Sequence, residues 1–379
     1  MSEQSIPLSS QDITEREIEA VTAVLRSDRL SLGPRVEAFE QSLAAAAGRK
    51  YGIAVNSGTS GLHLCVRGLG IGAGDEVITT PFTFIATVNS ILFEGATPVL
   101  VDIDPESYNV DPAALQAAIT PRTKAILPVE VFGNTAHFDV YERIARDRGL
   151  HMIEDCCEAL GGRLAGRPAG SFGDCGVFAF YPNKQITTGE GGMIVTDSEE
   201  LRDLCRSLRN QGRSTTEWLQ HARLGYNYRM SEVTAALGEV QASRLEEILS
   251  KRRRAAGMYD EALAPLAEEG LLHLPPMAER DKASWFVYVI RLAEGFSADD
   301  RDAVLADLRE RGIGCNNYFV PCHTQPHLME LLGTKPGDFP VTERIAARTI
   351  ALPFFANLSA GQVQRVTAVL ADLLAKAGR

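Results

Sequence analysis

Between Ile53 and Asp197, short apolar runs alternate with stretches whose apolar residues recur at helical spacing. The runs predict strands over 53–56, 76–80, 99–103, 124–129, 151–154, 175–180 and 193–196. Helical spacing fills several of the intervals, over 59–69, 83–93, 112–119 and 138–148. Glycine and proline punctuate the connections, as in Gly70-Ile-Gly-Ala-Gly74 and Glu94-Gly-Ala-Thr-Pro98. This alternation predicts an α/β domain with a mostly parallel, helix-covered sheet, and it places ligand chemistry at the carboxyl ends of the strands.

After Ser231 the pattern changes. A long helical stretch to about Leu263, a strand over 285–292, a helix over 298–311 and a terminal helix over 360–375 predict a smaller α+β C-terminal domain. The division falls inside the helical stretch. Residues 1–245, with an N-terminal helical segment, form the large domain and residues 246–379 the small one. The chain of 379 residues is too long for one small core.

Composition narrows the partners. A net charge of −11 and a pI of about 5.3 argue against nucleic acid, because neutralising phosphates needs clustered Lys and Arg. The basic run Lys251-Arg-Arg-Arg254 lies in a helical pattern and is read as a solvated helix face. No apolar stretch approaches the roughly 20 residues that span a bilayer. The first residues, Met1-Ser-Glu-Gln-Ser-Ile-Pro7, carry neither a basic segment nor an apolar signal core, so a cytoplasmic protein without a membrane partner is expected. The seven cysteines contain no CxxC pair and no spaced ligand quartet. They are read as small buried hydrophobes, and no metal is expected.

Two residues carry the candidate chemistry. Lys184 follows the apolar run 175–180 and precedes the turn Thr187-Thr-Gly-Glu-Gly-Gly192, while Asp155 ends the run Leu150-His-Met-Ile-Glu-Asp155. A lysine past one strand end and an aspartate at another suit pyridoxal phosphate (PLP). Its aldehyde condenses with a lysine amine, and its ring nitrogen needs an anionic partner. The displaced amine can then carry a proton between substrate and cofactor carbons. A phosphate site is read in Ala54-Val-Asn-Ser-Gly58-Thr59-Ser60, where a strand passes through Gly58 into a helix start with two hydroxyls. Phe84 is an aromatic residue at a helix start that could cover a ring or simply pack in the core.

These segments resemble the DegT/DnrJ/EryC1/StrS family of PLP-dependent nucleotide-sugar aminotransferases. The matching residues are Asn56-Ser-Gly-Thr-Ser60, Gly74-Asp-Glu-Val-Ile78, Thr83-Phe-Ile-Ala-Thr87, Val101-Asp-Ile-Asp104, Thr123-Lys-Ala-Ile126, Glu154-Asp155, Lys184 with Thr188-Gly-Glu-Gly-Gly-Met193, and Gly225-Tyr-Asn-Tyr-Arg-Met230. The resemblance runs from about Pro7 to about Pro353. It implies the fold-type-I aminotransferase architecture and a homodimer with shared active sites. It also implies Phe84 as ring stacker, Asn227 reaching the partner subunit's cofactor phosphate, and a substrate side formed around Tyr318 and His323.

What the resemblance implies chemically is a ping-pong transamination. L-Glutamate aminates the cofactor, leaves as 2-oxoglutarate, and the pyridoxamine form (PMP) aminates a ketone on a nucleotide-linked sugar. Asn183-Lys-Gln-Ile-Thr-Thr-Gly-Glu-Gly-Gly192 with Glu158 looks most like the 4-keto-6-deoxyhexose 4-aminotransferases, including perosamine synthases. Amination at C3 and a non-catalytic, PLP-binding regulatory or partner subunit are the alternatives. A related dehydrating branch carries histidine in place of the lysine, and Lys184 counts against it. Three positions depart from the family pattern. Glu158 stands where glutamine frequently contacts the cofactor's phenolic oxygen, so it is expected to be protonated, turned away or bound to substrate; Ala179 replaces a phosphate-binding serine, and Cys156-Cys157 replace small alanines.

Overall fold

The computed structural model describes residues 5–214 and 220–377; residues 1–4 of the N-terminal stretch read above lie outside the described residues. The large domain is built on β1 (Tyr51–Val55), β2 (Glu76–Thr79), β3 (Thr97–Leu100), β4 (Thr123–Ile126) and β5 (His151–Asp155). A small ribbon follows, β6 (Arg163–Leu164) with β7 (Arg167–Pro168), and then β8 (Cys175–Ala179) and β9 (Gly192–Thr196). Seven of these strands form one sheet in the order β1-β9-β8-β5-β4-β2-β3. All seven expected strands are present, with ends shifted by one to three residues.

The sheet is parallel except at β9, which runs antiparallel to both β1 and β8. β1, β8 and β5 therefore point the same way, and their carboxyl ends share one edge. Helices cover both faces, so β2 and β9 are buried at every position and show no alternation of buried and exposed residues. The helix Glu199–Arg209 carries no expectation above, and the N-terminal helical segment resolves into Glu15–Leu25 and Pro34–Ala46. The expected long helix breaks at Arg244 into Glu232–Ser243 and Leu245–Glu268. Arg244 is buried there with Glu17, at 2.7 Å, and Asp12, at 3.2 Å, tying the break to the N-terminal segment.

The smaller C-terminal α+β domain has a sheet of β10 (Leu272–His273), β11 (Tyr288–Leu292) and β12 (Thr349–Leu352), under the helices Leu245–Glu268, Ala298–Glu310 and Ala360–Ala377. β12 was absent from the sequence reading; Thr349-Ile-Ala-Leu352 is too short to give a period. Stacked Tyr259, Tyr288 and Trp285 fill the core. Ile6 joins this core from the other end of the chain: its N–H bonds Gly312 O, its carbonyl takes Gly314 N–H, and Leu8 O takes Phe354 N–H.

The basic run corrects one expectation. Arg254 is exposed and Lys251 pairs with Asp12 and Glu247, but Arg252 is only 2% exposed and points between the domains. The helix pattern is right, but one of its four basic residues falls on the inward face.

Glu232 is a buried carboxylate that closes the start of the helix Pro34–Ala46. It accepts the N–H groups of Gly33, Arg35 and Val36 at 2.9–3.0 Å. Removing that acceptor leaves donors unsatisfied. Glu232→Ala should lower unfolding free energy by about 2–3 kcal/mol, and Glu232→Gln, which keeps one acceptor, by less. Denaturant midpoints at constant slope would check this.

Candidate active site

The shared edge of β1, β5 and β8 opens into a cavity of about 560 Å³. Asp155 ends β5 and is 4% exposed. Its Oδ2 accepts the Thr87 hydroxyl at 2.8 Å, and Thr83 bonds Thr87 in turn at 2.9 Å. Those hydroxyls hold the carboxylate's orientation while leaving it facing the cavity.

Lys184 sits in the turn between β8 and β9. Its Nζ lies 3.5 Å from Glu158 Oε1 and 4.0 Å from the centre of the Phe286 ring. Glu158 is not turned away: its other oxygen accepts the Phe132 N–H at 2.9 Å. Burial pushes the Glu158 carboxyl above its ordinary value, opposed by the Lys184 charge and the Phe132 N–H. Tyr318 also lines the cavity, and burial pushes its phenol up.

The helix Gly58–Gly68 begins at the same cavity, capped by the Ser57 hydroxyl on Ser60 N–H at 3.1 Å. Gly58 and Thr59 line the cavity together with Ser57. A side chain at Gly58 would come within 2.8 Å of Ala179 Cβ, so a glycine is needed for the turn to lie against β8. Ser60 is placed differently from the expectation. Its hydroxyl donates to Asn56 Oδ1 at 2.7 Å and serves the turn, while Ser57 takes its place at the cavity wall.

Phe84 stands at the cavity wall, 63% exposed. Asn227 is exposed and lies outside this wall, its carbonyl accepting from Asn56 Nδ2 at 3.4 Å. His323 is not brought to the cavity. It is fully buried, bonded to Glu343 at 2.9 Å and packed edge-on against Phe339. Sequence reasoning missed Thr87, Ser57, Phe286 and Asn183. Thr87, Ser57 and Asn183 lie inside motifs already quoted, whereas Phe286 arrives from the second domain and no local signal marks it.

An amine, a carboxylate, an aromatic face and a helix N-terminus thus converge on one cavity, and the Oδ1 of Asn183 is buried on its wall without a donor. That donor and acceptor set fits PLP, which needs one group of each kind. It defines an aminotransferase-type centre. The chain belongs to the DegT/DnrJ/EryC1/StrS aminotransferase family, whose model matches residues 11–371. It is 41% identical to the GDP-perosamine synthase of Caulobacter vibrioides over 344 residues, 91% of each chain. The structure superposes on Helicobacter pylori PseC, an aminotransferase involved in pseudoaminic acid biosynthesis, with a TM-score of 0.93 at 28% identity, covering 98% of this chain and 100% of that one. It also matches NtdA from Bacillus subtilis, solved with bound cofactor PMP, with a TM-score of 0.88 at 28% identity, covering 99% and 87%. The architecture is that of the fold-type-I PLP aminotransferases. No helix among the described residues is long and apolar enough to cross a membrane.

Behind Asp155, on the far side of β5, lies a group with no assigned chemistry. Glu154 accepts the amides of Gly170 and Phe172 at 2.6 and 2.9 Å, while neither oxygen of the fully buried Glu130 accepts from any donor. Ligand atoms of the two acids and Cys156 lie within 4.8 Å of one another. The Cys156 thiol is pushed well up by burial and points at Val177 O, so it is a poor metal ligand. Burial raises Glu130 well above its ordinary 4.5, with the nearby Glu154 adding to the shift. Asp155 adds further negative charge, and Arg49 partly offsets that of Glu154.

The folded chain therefore holds a proton that the unfolded chain releases above about pH 4.5. Stability from this pair is full below that pH and falls as pH rises towards the folded-state value. Glu130→Gln, which keeps a donor without titrating, should flatten the loss of thermal stability between pH 5 and pH 9. An unchanged slope would show that the pair carries no extra proton.

Proposed function

We propose that the protein is a PLP-dependent aminotransferase that moves an amino group from L-glutamate to the ketone of a nucleotide-linked sugar, at C4 of a 4-keto-6-deoxyhexose. The observation that carries this reading is Lys184 Nζ beside Glu158 in the cavity that Asp155 also faces. The choice of C4 rests on the sequence 183–192 with Glu158, and is supported by the identity to a protein named for perosamine synthesis.

When bound, the cofactor supplies a ring that stores the electron pair released when a substrate proton leaves. The chain's residues do the rest. Lys184 Nζ is the amine that would hold the cofactor and that would take and return the substrate proton. Asp155, oriented by Thr87, keeps the ring nitrogen protonated. Gly58 and Thr59, with the free amides of their helix, receive the phosphate, and Phe84 covers the ring. Burial favours the protonated form of Glu158, which would donate to the phenolic oxygen where the ionised form would repel it. With alanine at 179, Thr59 and Asn227 of a second subunit supply more of the phosphate contacts. Tyr318 faces the substrate side. The enzyme acts as a cytoplasmic homodimer, with the domain division at residues 245/246.

Titration of the PLP-loaded protein with L-glutamate tests this. The visible band of the lysine-bound cofactor should give way to that of PMP, with 2-oxoglutarate released. Lys184→Ala should bind the cofactor yet lose at least about a thousandfold in rate. A band indifferent to glutamate would sink the proposal. Asp155→Asn should keep its fold and lose about a hundredfold or more in kcat; a normal rate would remove Asp155 from the ring nitrogen.

A further inference from the structure

The inward-facing member of the basic run ends at the reactive lysine's own backbone. Arg252 Nη2 donates to Lys184 O at 2.8 Å, and its Nη1 donates to Phe286 O at 3.1 Å and, more weakly, to Trp285 O at 3.3 Å. The Phe286 ring so anchored is the one lying 4.0 Å from Lys184 Nζ. One guanidinium thus grips the main chain under the amine and the segment whose side chain flanks it.

From this geometry we propose that Arg252 is a positioning residue for the Lys184 amine. It fixes the distance between the lysine turn of the large domain and the Ser284–Phe286 segment that leads into β11.

The cost of the arrangement supports a purpose beyond packing. Burying a cation without a paired charge is expensive, and an apolar side chain of similar size would fill the space more cheaply. Among the described residues no carboxylate forms an ion pair with Arg252. Its Nε has no acceptor, and burial draws its pKa down to about 10. Carbonyl oxygens are its partners, and the Phe354 ring lies 5.6 Å from the guanidinium carbon. The planar fork is the feature that reaches carbonyls on two segments at once, which an ammonium cannot reproduce. The neighbouring residue repeats the staple. Gln185 Nε2 donates to Ser284 Oγ at 2.7 Å and to Glu158 O at 2.6 Å, so the segment carrying Glu158 is tied into the same joint. Reacting groups misplaced by about 1 Å can lose on the order of a hundredfold in rate. A clamp on the lysine's carbonyl controls that error directly.

The experiment compares the full chain with Arg252→Met and Arg252→Lys. Its first readout needs no cofactor: the rate at which formaldehyde and a borohydride modify Lys184 between pH 6 and pH 10, followed by peptide mass spectrometry. The second is the glutamate half-reaction of the PLP-loaded proteins, which rests on the function proposed above. With the fold retained, Arg252→Met should change the Lys184 modification rate at least threefold. It should also lower the half-reaction's limiting rate about 10- to 100-fold, with the half-saturating glutamate concentration changed less than threefold. Arg252→Lys should recover only part of either. If Arg252→Met does not fold, Arg252→Lys decides by the same threefold shift in Lys184 reactivity. Folded variants whose Lys184 reacts like the native residue's would overturn the proposal and leave Arg252 a packing residue. Native protein inert to glutamate would instead overturn the aminotransferase reading, with the amine measurement still deciding Arg252.

Discussion

One reversed strand dictates where the chemistry sits. β9 runs against both neighbours, so the chain leaving β8 turns back at the edge where β1 hands over to its helix. A parallel β9 would need its connection to cross to the opposite edge of the sheet, whereas the loop 180–191 that carries Lys184 returns at this one. The turn is closed by its own backbone, with Phe180 N–H on Gly191 O at 2.9 Å and Thr188 N–H on Phe180 O at 3.0 Å. Its approach to the neighbouring helix start depends on Gly192, where a side chain would come within 2.5 Å of Ser57 O. The amine and the helix amides share a cavity because of that strand direction and that missing side chain.

Charge beneath the cavity is arranged in two layers. Asp155 and Glu158 face inward with Lys184 between the sheet and the Phe286 ring, while Glu154 and Glu130 sit behind β5. Alternation along a strand explains the split, because neighbours 154 and 155 project to opposite faces. Backbone amides and hydroxyls satisfy three of the four acids, and Glu130, left without such a donor, keeps a proton instead. Uncompensated negative charge is thereby kept from building up behind Asp155.

Much of this was legible in the sequence because the large domain is written in local patterns. Buried parallel strands give unbroken apolar runs, and Asp155 and Lys184 each follow one directly. The direction of β9 was not legible, since antiparallel and parallel buried strands carry the same composition. His323 illustrates a second limit. Its motif suggested a substrate contact, but the Glu343 that holds it arrives from a separate helix. Arg252 is a third case. One turn of helix decides whether a basic residue meets water or a carbonyl, and the run of four gave no sign of which one faced inward. Phe286 and Ile6 act across the domains, where sequence distance hides the contact.

The N-terminal strap deserves a last consideration for how the chain is made. Ile6 and Leu8 leave a ribosome some three hundred residues before their partners at Gly312, Gly314 and Phe354. The usual progression, in which an N-terminal unit folds and is finished, is therefore broken for these few residues. The small domain completes its core only once Ile6 and the segment 312–354 exist together. Dissecting the protein at the joint between the domains would leave the C-terminal domain with an open seam where Ile6 belongs.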